Sequence, residues 1–162
     1  SLNMKKTLYC FLILLVMSFT QNGRKPDAIL TIAANSVLTD NLSNVYVVQA
    51  DRFIKYDSQL KLLKEFSNKN FGNITYADVS NPLRILVFYR EFGRVIFLDN
   101  TLSQNGDPIE LEKLGYPLTT LAAYSHDNGL WIYDQPSFEL LRFKNTLEIT
   151  DRTGNLSQIL GI

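Results

Sequence analysis

The sequence predicts an all-β chain built from one antiparallel, four-stranded module repeated three times, and two observations carry that reading. The first is a recurring stretch. Residues 130–147 read as two short strands joined by a turn, and residues 86–102 and 45–60 follow nearly the same pattern. Each ends in a polar triplet and a leucine: Asp57-Ser58-Gln59-Leu60, Asp99-Asn100-Thr101-Leu102 and Lys144-Asn145-Thr146-Leu147, spaced by 42 and then 45 residues. The second is an alignment: residues 74–89 superpose on 118–133 without a gap, at an offset of 44. A period of about 40–45 residues with four strand-like runs marks sheets that stack on one another, because one such sheet cannot bury both of its faces alone.

Taken in order, residues 28–33 and 36–39 are the first strand candidates, with Asn35 as a break between them. Residues 45–48 form a β-branched run, residues 53–56 alternate after a turn, and residues 60–66 supply the next piece. That last piece fits a helical turn as well, and strand is preferred because its later counterparts are poor helix formers. The second module begins at 74–79, turns at Ser80-Asn81-Pro82, and continues through 84–89. Glu91, Phe92 and Gly93 make a hairpin turn in which the glycine supplies a positive φ. Residues 94–98 and 108–111 follow, separated by Asn105-Gly106-Asp107. The third module comprises 118–124, the turn Asp127-Asn128-Gly129, 130–133, a hairpin turn holding Pro136, then 138–143 and 147–150. Pro136 has no N–H to lose from a ladder there. The predicted modules are therefore 28–67, 72–114 and 116–158, with Val47, Val87, Phe88, Trp131, Ile132 and Tyr133 as the core between sheets.

Residues 1–20 stand apart from this pattern. Lys5 and Lys6 precede a mostly apolar run at 8–19, and Ser18 and Thr20 are small residues suited to signal peptidase, so cleavage is expected after Thr20. A run of this length is short for a membrane span, which needs roughly 18 or more apolar residues. Residues 21–27 read as a polar linker. Cys10, the one cysteine, lies within the apolar run, so the mature chain would have no thiol for disulfides, catalysis or metal binding. Sixteen basic residues balance sixteen acidic ones, which is no footprint for nucleic acid. Loss of Lys5 and Lys6 leaves 14 against 16, a net −2 that gives no pull toward anionic membranes. The composition, 46% hydrophobic and 12% aromatic, suits a packed core rather than disorder.

The module resembles the WD-like, NHL-like and quinoprotein-like β-propeller group, and in particular uncharacterised exported propeller-like proteins of Gram-negative bacteria. The resemblance covers 28–162 and rests on strand spacing and on the Tyr56-Asp57-Ser58, Leu98-Asp99-Asn100 and Phe143-Lys144-Asn145 ends. The Gly-His and Trp-Asp dipeptides of true WD repeats are missing, as are the ligand sets of quinone-cofactor enzymes, so the resemblance implies a fold and no cofactor. Closed rings hold about 4–8 such modules. With three residues ahead of Met4 and an apolar finish at 158–162, the sequence reads as the N-terminal part of a longer protein. The rival reading is a complete stack of three open sheets that closes as an oligomer.

Candidate chemistry is sparse. His126, the single histidine, lies between Ser125 and Asp127, but three consecutive residues at a turn point in different directions and cannot form a Ser-His-Asp relay among themselves. Asn105, Gly106 and Asp107 suggest part of a calcium loop without the alternating oxygens or the bidentate acid that such a loop requires. Asp57 and Asp99 occupy matching strand ends, yet Lys144 replaces the acid in the third module, so no paired carboxylates are established. The aromatics Tyr89, Phe88, Phe92, Trp131 and Tyr133 could line a groove, but aromatics at alternating strand positions usually belong to the core. Arg90, Glu91, Phe92 and Arg94 surround a hairpin turn and form the best candidate for an exposed interaction surface. No catalytic, cofactor or metal residue is nominated.

The expectation is a non-catalytic binding scaffold with a protein partner, exported to the periplasm or cell surface of a Gram-negative bacterium. Two alternatives stay open. One is a propeller hydrolase or lyase whose site is completed by further sequence; the other is a small structural domain that self-associates through open sheet edges.

Overall fold

The structure, a computed structural model, describes residues 26–161, so the predicted export signal lies outside the described residues. Among the described residues twelve strands form three four-stranded antiparallel sheets, each a simple meander in chain order. The first holds β1 (Ser36–Thr39), β2 (Val45–Gln49), β3 (Arg52–Tyr56) and β4 (Leu62–Ser67). The second holds β5 (Tyr76–Asp78), β6 (Ile85–Tyr89), β7 (Arg94–Leu98) and β8 (Ile109–Glu110). The third holds β9 (Thr119–Tyr124), β10 (Leu130–Asp134), β11 (Glu139–Phe143) and β12 (Ile149–Arg152). A short helix, α1 (Leu156–Leu160), follows. Among the described residues no helix is long and apolar enough to cross a membrane.

The repeated polar triplets turn out to be one turn geometry used five times. The turns opening at Asp40, Asp57, Asp99, Ser125 and Lys144 each close with a hydrogen bond from the first residue's N–H to the fifth residue's carbonyl. Their fourth residues, Ser43, Leu60, Leu102, Asn128 and Leu147, all have φ between 60° and 64°. Aspartate suits the first position because its carboxylate collects the turn's free N–H groups. Asp57 Oδ1 accepts from Gln59 and Lys61, and Asp99 Oδ1 accepts from Thr101 and Ser103. A left-handed leucine costs about 1–2 kcal/mol. At Leu102 this is offset by burial, since its side chain is 4% exposed within the core between the first and second sheets.

Two of the turn-opening carboxylates, Asp99 and Asp40, should make stability depend on acid. The Thr101 hydroxyl, then the Ser103 N–H, hold Asp99 below its ordinary value of 3.8. Asp40 is also lowered: burial acts against ionisation, but hydrogen bonds from Asn44 and Tyr46 outweigh it. A depressed folded pKa stabilises the fold above the unfolded value, and that contribution disappears as pH falls through the folded one. Denaturation midpoints of the native protein should therefore drop between pH 7 and pH 3. Asp99→Asn should lower the midpoint at pH 7 and narrow the gap between the two. An unchanged gap would show that this carboxylate plays no part.

Alternation along the strands gives each sheet two apolar faces, and the sheets stack through them. Tyr46, Val48 and Phe53 of the first sheet meet Ile85, Val87, Tyr89, Ile96 and Leu98 of the second. Leu86, Phe88, Val95 and Phe97, on the second sheet's other face, meet Ala122, Leu130, Ile132, Leu141 and Phe143 of the third. A basic side chain crosses each junction to the same place. Lys55 Nζ donates to the Asn100 carbonyl at 2.8 Å, and Arg84 Nη2 donates to Asn145 Oδ1 at 2.8 Å. Asn100 and Asn145 are the second residues of matching turns.

Several predicted elements are corrected. Residues 28–33 form no strand: the ladder beside β2 ends at the bond from Asn35 N–H to Val48, and nothing beyond is available to pair with them. Ile32 instead packs on Val47, Ile54 and Tyr56 over the first sheet's outer face, so Val47 is not core between sheets; its neighbours Tyr46 and Val48 point to that core instead. Residues 60–66 form the expected strand, but it begins only at Leu62 because Leu60 belongs to the turn. For the same reason the last strand begins at Ile149, two residues later than expected. The helix α1 was not anticipated; Asn155 caps it by accepting from the N–H groups of Ser157 and Gln158, and Gly161 ends it at φ 67°. Trp131 and Tyr133 are not core between sheets. They are half-buried on the outer face of the third sheet, opposite Leu130 and Ile132, because residues adjacent on a strand point to opposite faces.

Candidate functional site

Consecutive antiparallel strands put all the turns between second and third strands on one rim, together with the connections from sheet to sheet. Two hairpin turns and one connection converge there. The first turn, residues 90–93, closes through the Gly93 N–H to the Arg90 carbonyl. The second, residues 135–138, closes the same way from Phe138 to Gln135. The connection, residues 111–118, is pinned by Leu111, which is fully buried, and by Tyr116, whose ring packs edge-on against Phe143 at 5.8 Å.

Between them lies an open groove of about 580 Å³. It is lined by Arg90 and Glu91 of the first turn, by Gln135, Pro136 and Phe138 of the second, and by Pro117, Leu118, Thr119 and Thr120 where the connection runs into the third sheet. Leu118 and Phe138 expose 62% and 46% of their surfaces. Phe138 stands where the second sheet has Gly93, and both have positive φ, 55° and 54°. An exposed phenylalanine is thus held in a backbone conformation that glycine adopts without strain. Arg90 and Glu91 are both exposed where they line the groove.

A second hollow of about 320 Å³ adjoins the first, sharing Glu91 and Pro117 and adding Phe92, Gly93, Arg94, Glu110 and Glu112. The Arg94 guanidinium lies 5.3 Å from the Phe71 ring. Phe92 rests on Gly72, where a Cβ would stand 2.7 Å from its ring. Gly72 also has φ 73° and ψ −156°, a region essentially reserved for glycine. The four residues nominated from sequence therefore straddle two adjoining hollows, Arg90 and Glu91 in the larger and Glu91, Phe92 and Arg94 in the smaller. Leu118, Pro117, Pro136 and Phe138 were not nominated; the exposed apolar pair can be recognised only once the sheets are stacked.

Beneath this rim Tyr89 is fully buried against Phe71, with ring centroids 5.4 Å apart. Its hydroxyl has no hydrogen-bond partner among the described residues, and burial pushes its pKa well above the usual phenol range. Tyr89 and Phe88 thus belong to the packed interior and are not groove residues.

On the opposite rim His126 is exposed. The Asp127 carboxylate accepts from the Ser125 hydroxyl at 2.5 Å and from the Gly129 N–H, and its other oxygen lies 3.7 Å from Arg142. The aspartate is committed to shaping the turn and does not orient the imidazole. Ser125 is first to lower the Asp127 pKa, with Arg142 and the Gly129 N–H adding to it. Among the described residues no group of three or more His, Cys, Asp or Glu could hold a metal ion.

No protein-family model and no curated relative matches the sequence. Solved structures do match in shape. The chain superposes on virginiamycin B lyase from Staphylococcus aureus with a TM-score of 0.57 at 11% identity, covering 83% of this chain and 46% of that one. A putative exported protein from Bacteroides fragilis gives 0.54 at 12%, covering 82% and 40%. YCF48 bound to D1 peptide gives 0.50 at 10%, covering 72% and 38%. The fold is β-propeller-like. The chain spans less than half the length of each of these propellers, and at such identities the likeness concerns the fold alone.

Proposed function

We propose that this chain is an arc of a longer exported β-propeller that serves as a binding scaffold in the cell envelope of a Gram-negative bacterium. On this reading a protein partner docks on the rim at Arg90, Glu91, Phe92 and Arg94, together with Leu118 and Phe138. One observation carries it: two exposed apolar side chains and two exposed opposite charges converge on a single groove, on turns held rigid by the sheets beneath. Turns mounted on a stiff scaffold are natural recognition elements. Export rests on the basic and apolar pattern of residues 1–20.

Phe138 offers the cleanest test, because changing it need not harm the fold. Phe138→Gly removes the ring and relieves a left-handed residue, a conformation that costs about 1–2 kcal/mol for a residue with a side chain. The variant should melt at or above the native temperature yet lose a partner that the native protein retains from crosslinked envelope extract. Leu118→Ser should lose the same partner. If both variants retain every protein the native chain does, the groove is not the docking surface.

A further inference from the structure

The three sheets carry the same device on the face that looks toward the next sheet. In the first, Lys55 lies 5.5 Å from the ring of its cross-strand partner Tyr46. In the second, the Arg84 guanidinium stacks on Phe97 at 3.7 Å. In the third, Arg142 lies 5.8 Å from the ring of its cross-strand partner Trp131. Lys55, Phe97 and Arg142 occupy matching positions, each two residues before the first residue of the recurring turn at Asp57, Asp99 or Lys144.

At the first two junctions the device is covered, and its cation reaches the second residue of the following sheet's last turn, Asn100 or Asn145. At the third it lies open. Leu121 is 61% exposed, and Ala123, Trp131, Tyr133 and Leu140 are only half-buried on the same face. Arg142 keeps 22% of its side chain exposed and turns back onto its own sheet, with Nε on Asp151 at 2.7 Å and on the Thr150 hydroxyl at 3.1 Å and Nη1 at 3.7 Å from Asp127, while no contact among the described residues holds Nη2. The outer face of the first sheet is not open in this way, since Ile32 packs over its centre.

The geometry points to the Trp131–Arg142 face as the docking surface for a fourth sheet of this same repeat, continuing the polypeptide, with Arg142 donating to an oxygen of that sheet's last turn. This rests on the reading of the chain as an arc of a longer ring. The face continues a stacking interface already made twice within the molecule, and it presents the donor whose counterparts are satisfied by such a turn at both earlier junctions. An aromatic ring paired with a cation contributes most once water is removed from it, which is what a stacked sheet would do.

Hydroxyl-radical footprinting read by mass spectrometry tests this at the level of single residues. The polypeptide translated from the intact natural coding sequence is compared with the 162-residue chain, the latter over a range of concentrations with its mass followed by sedimentation. Trp131 and Tyr133 should oxidise readily in the 162-residue chain at every concentration and be protected in the longer polypeptide. Arg142→Met should restore oxidation in the longer polypeptide and change nothing in the shorter. Arg142→Lys, which supplies the group used at the first junction, should keep the protection. If further sheets follow but Trp131 stays reactive, the docking surface is wrong while the ring reading stands. If no further repeat follows, the ring reading itself fails. Protection of Trp131 in the 162-residue chain as it dimerises would make a second copy the occupant and overturn the proposal.

Discussion

Gly129→Ala should be among the most damaging small substitutions in the protein, lowering stability by about 3 kcal/mol, the upper part of the range for overpacking. An alanine Cβ here would stand 2.1 Å from the carbonyl oxygen of Phe143 and 3.0 Å from Asp127 Oδ1. The first of these atoms is backbone, so no side-chain rotation can clear the space. The end of β11 would have to move away from β10, where Leu130 pairs with Phe143. Both residues lie in the core between the second and third sheets, so the shift would be felt across that junction. For a domain near this size a loss of about 3 kcal/mol corresponds to a fall in Tm of roughly 10 °C. Lys61→Ala supplies the control. Lys61 is the fifth residue of an equivalent turn and is exposed, so its loss should stay within about 0.5 kcal/mol. Equal melting temperatures for the two variants would show that the close approach does not constrain the fold.

The repeat was legible because a local constraint imposes it. A turn whose first side chain can collect free N–H groups favours aspartate there, and this is why Asp57 and Asp99 recur on register with their leucines. The sequence could not say which side of a strand faces inward when both sides are apolar. Along Leu130–Asp134, Leu130 and Ile132 alternate with Trp131 and Tyr133, and the larger pair lies on the open side. Residues 28–33 have the composition of a strand, but a strand also needs a neighbour with free ladder positions, and that is a property of the whole fold. The helix α1 did leave a signal, an asparagine before it and a glycine after it, which five residues made easy to overlook. Of the rim, the hairpin at Glu91 and Phe92 was readable as an exposed turn. Its meeting with Leu118 and Phe138 was not, because it depends on how two sheets are stacked rather than on any local pattern.

That stacking sets the second large expectation. Phe88→Ala should cost about 3–5 kcal/mol, the usual range for truncating a buried phenylalanine. Phe88 is fully buried on the face of the second sheet that meets the third. Cavity formation there removes contacts from Leu130, Ile132 and Phe143 while leaving the first junction, built on Tyr46, Val48 and Phe53, untouched. Such a loss is a large share of the stability of a small domain, about 5–15 kcal/mol, and it falls on one junction. The third sheet should therefore loosen before the first two. Hydrogen exchange can resolve this: amides of β9, β10 and β11 should lose protection ahead of those of β2 and β3. Phe53→Ala should reverse the order, because Phe53 sits at the other junction. Uniform loss of protection in both variants would instead mean that the three sheets open as a single cooperative unit, and that neither junction is a line along which the molecule divides.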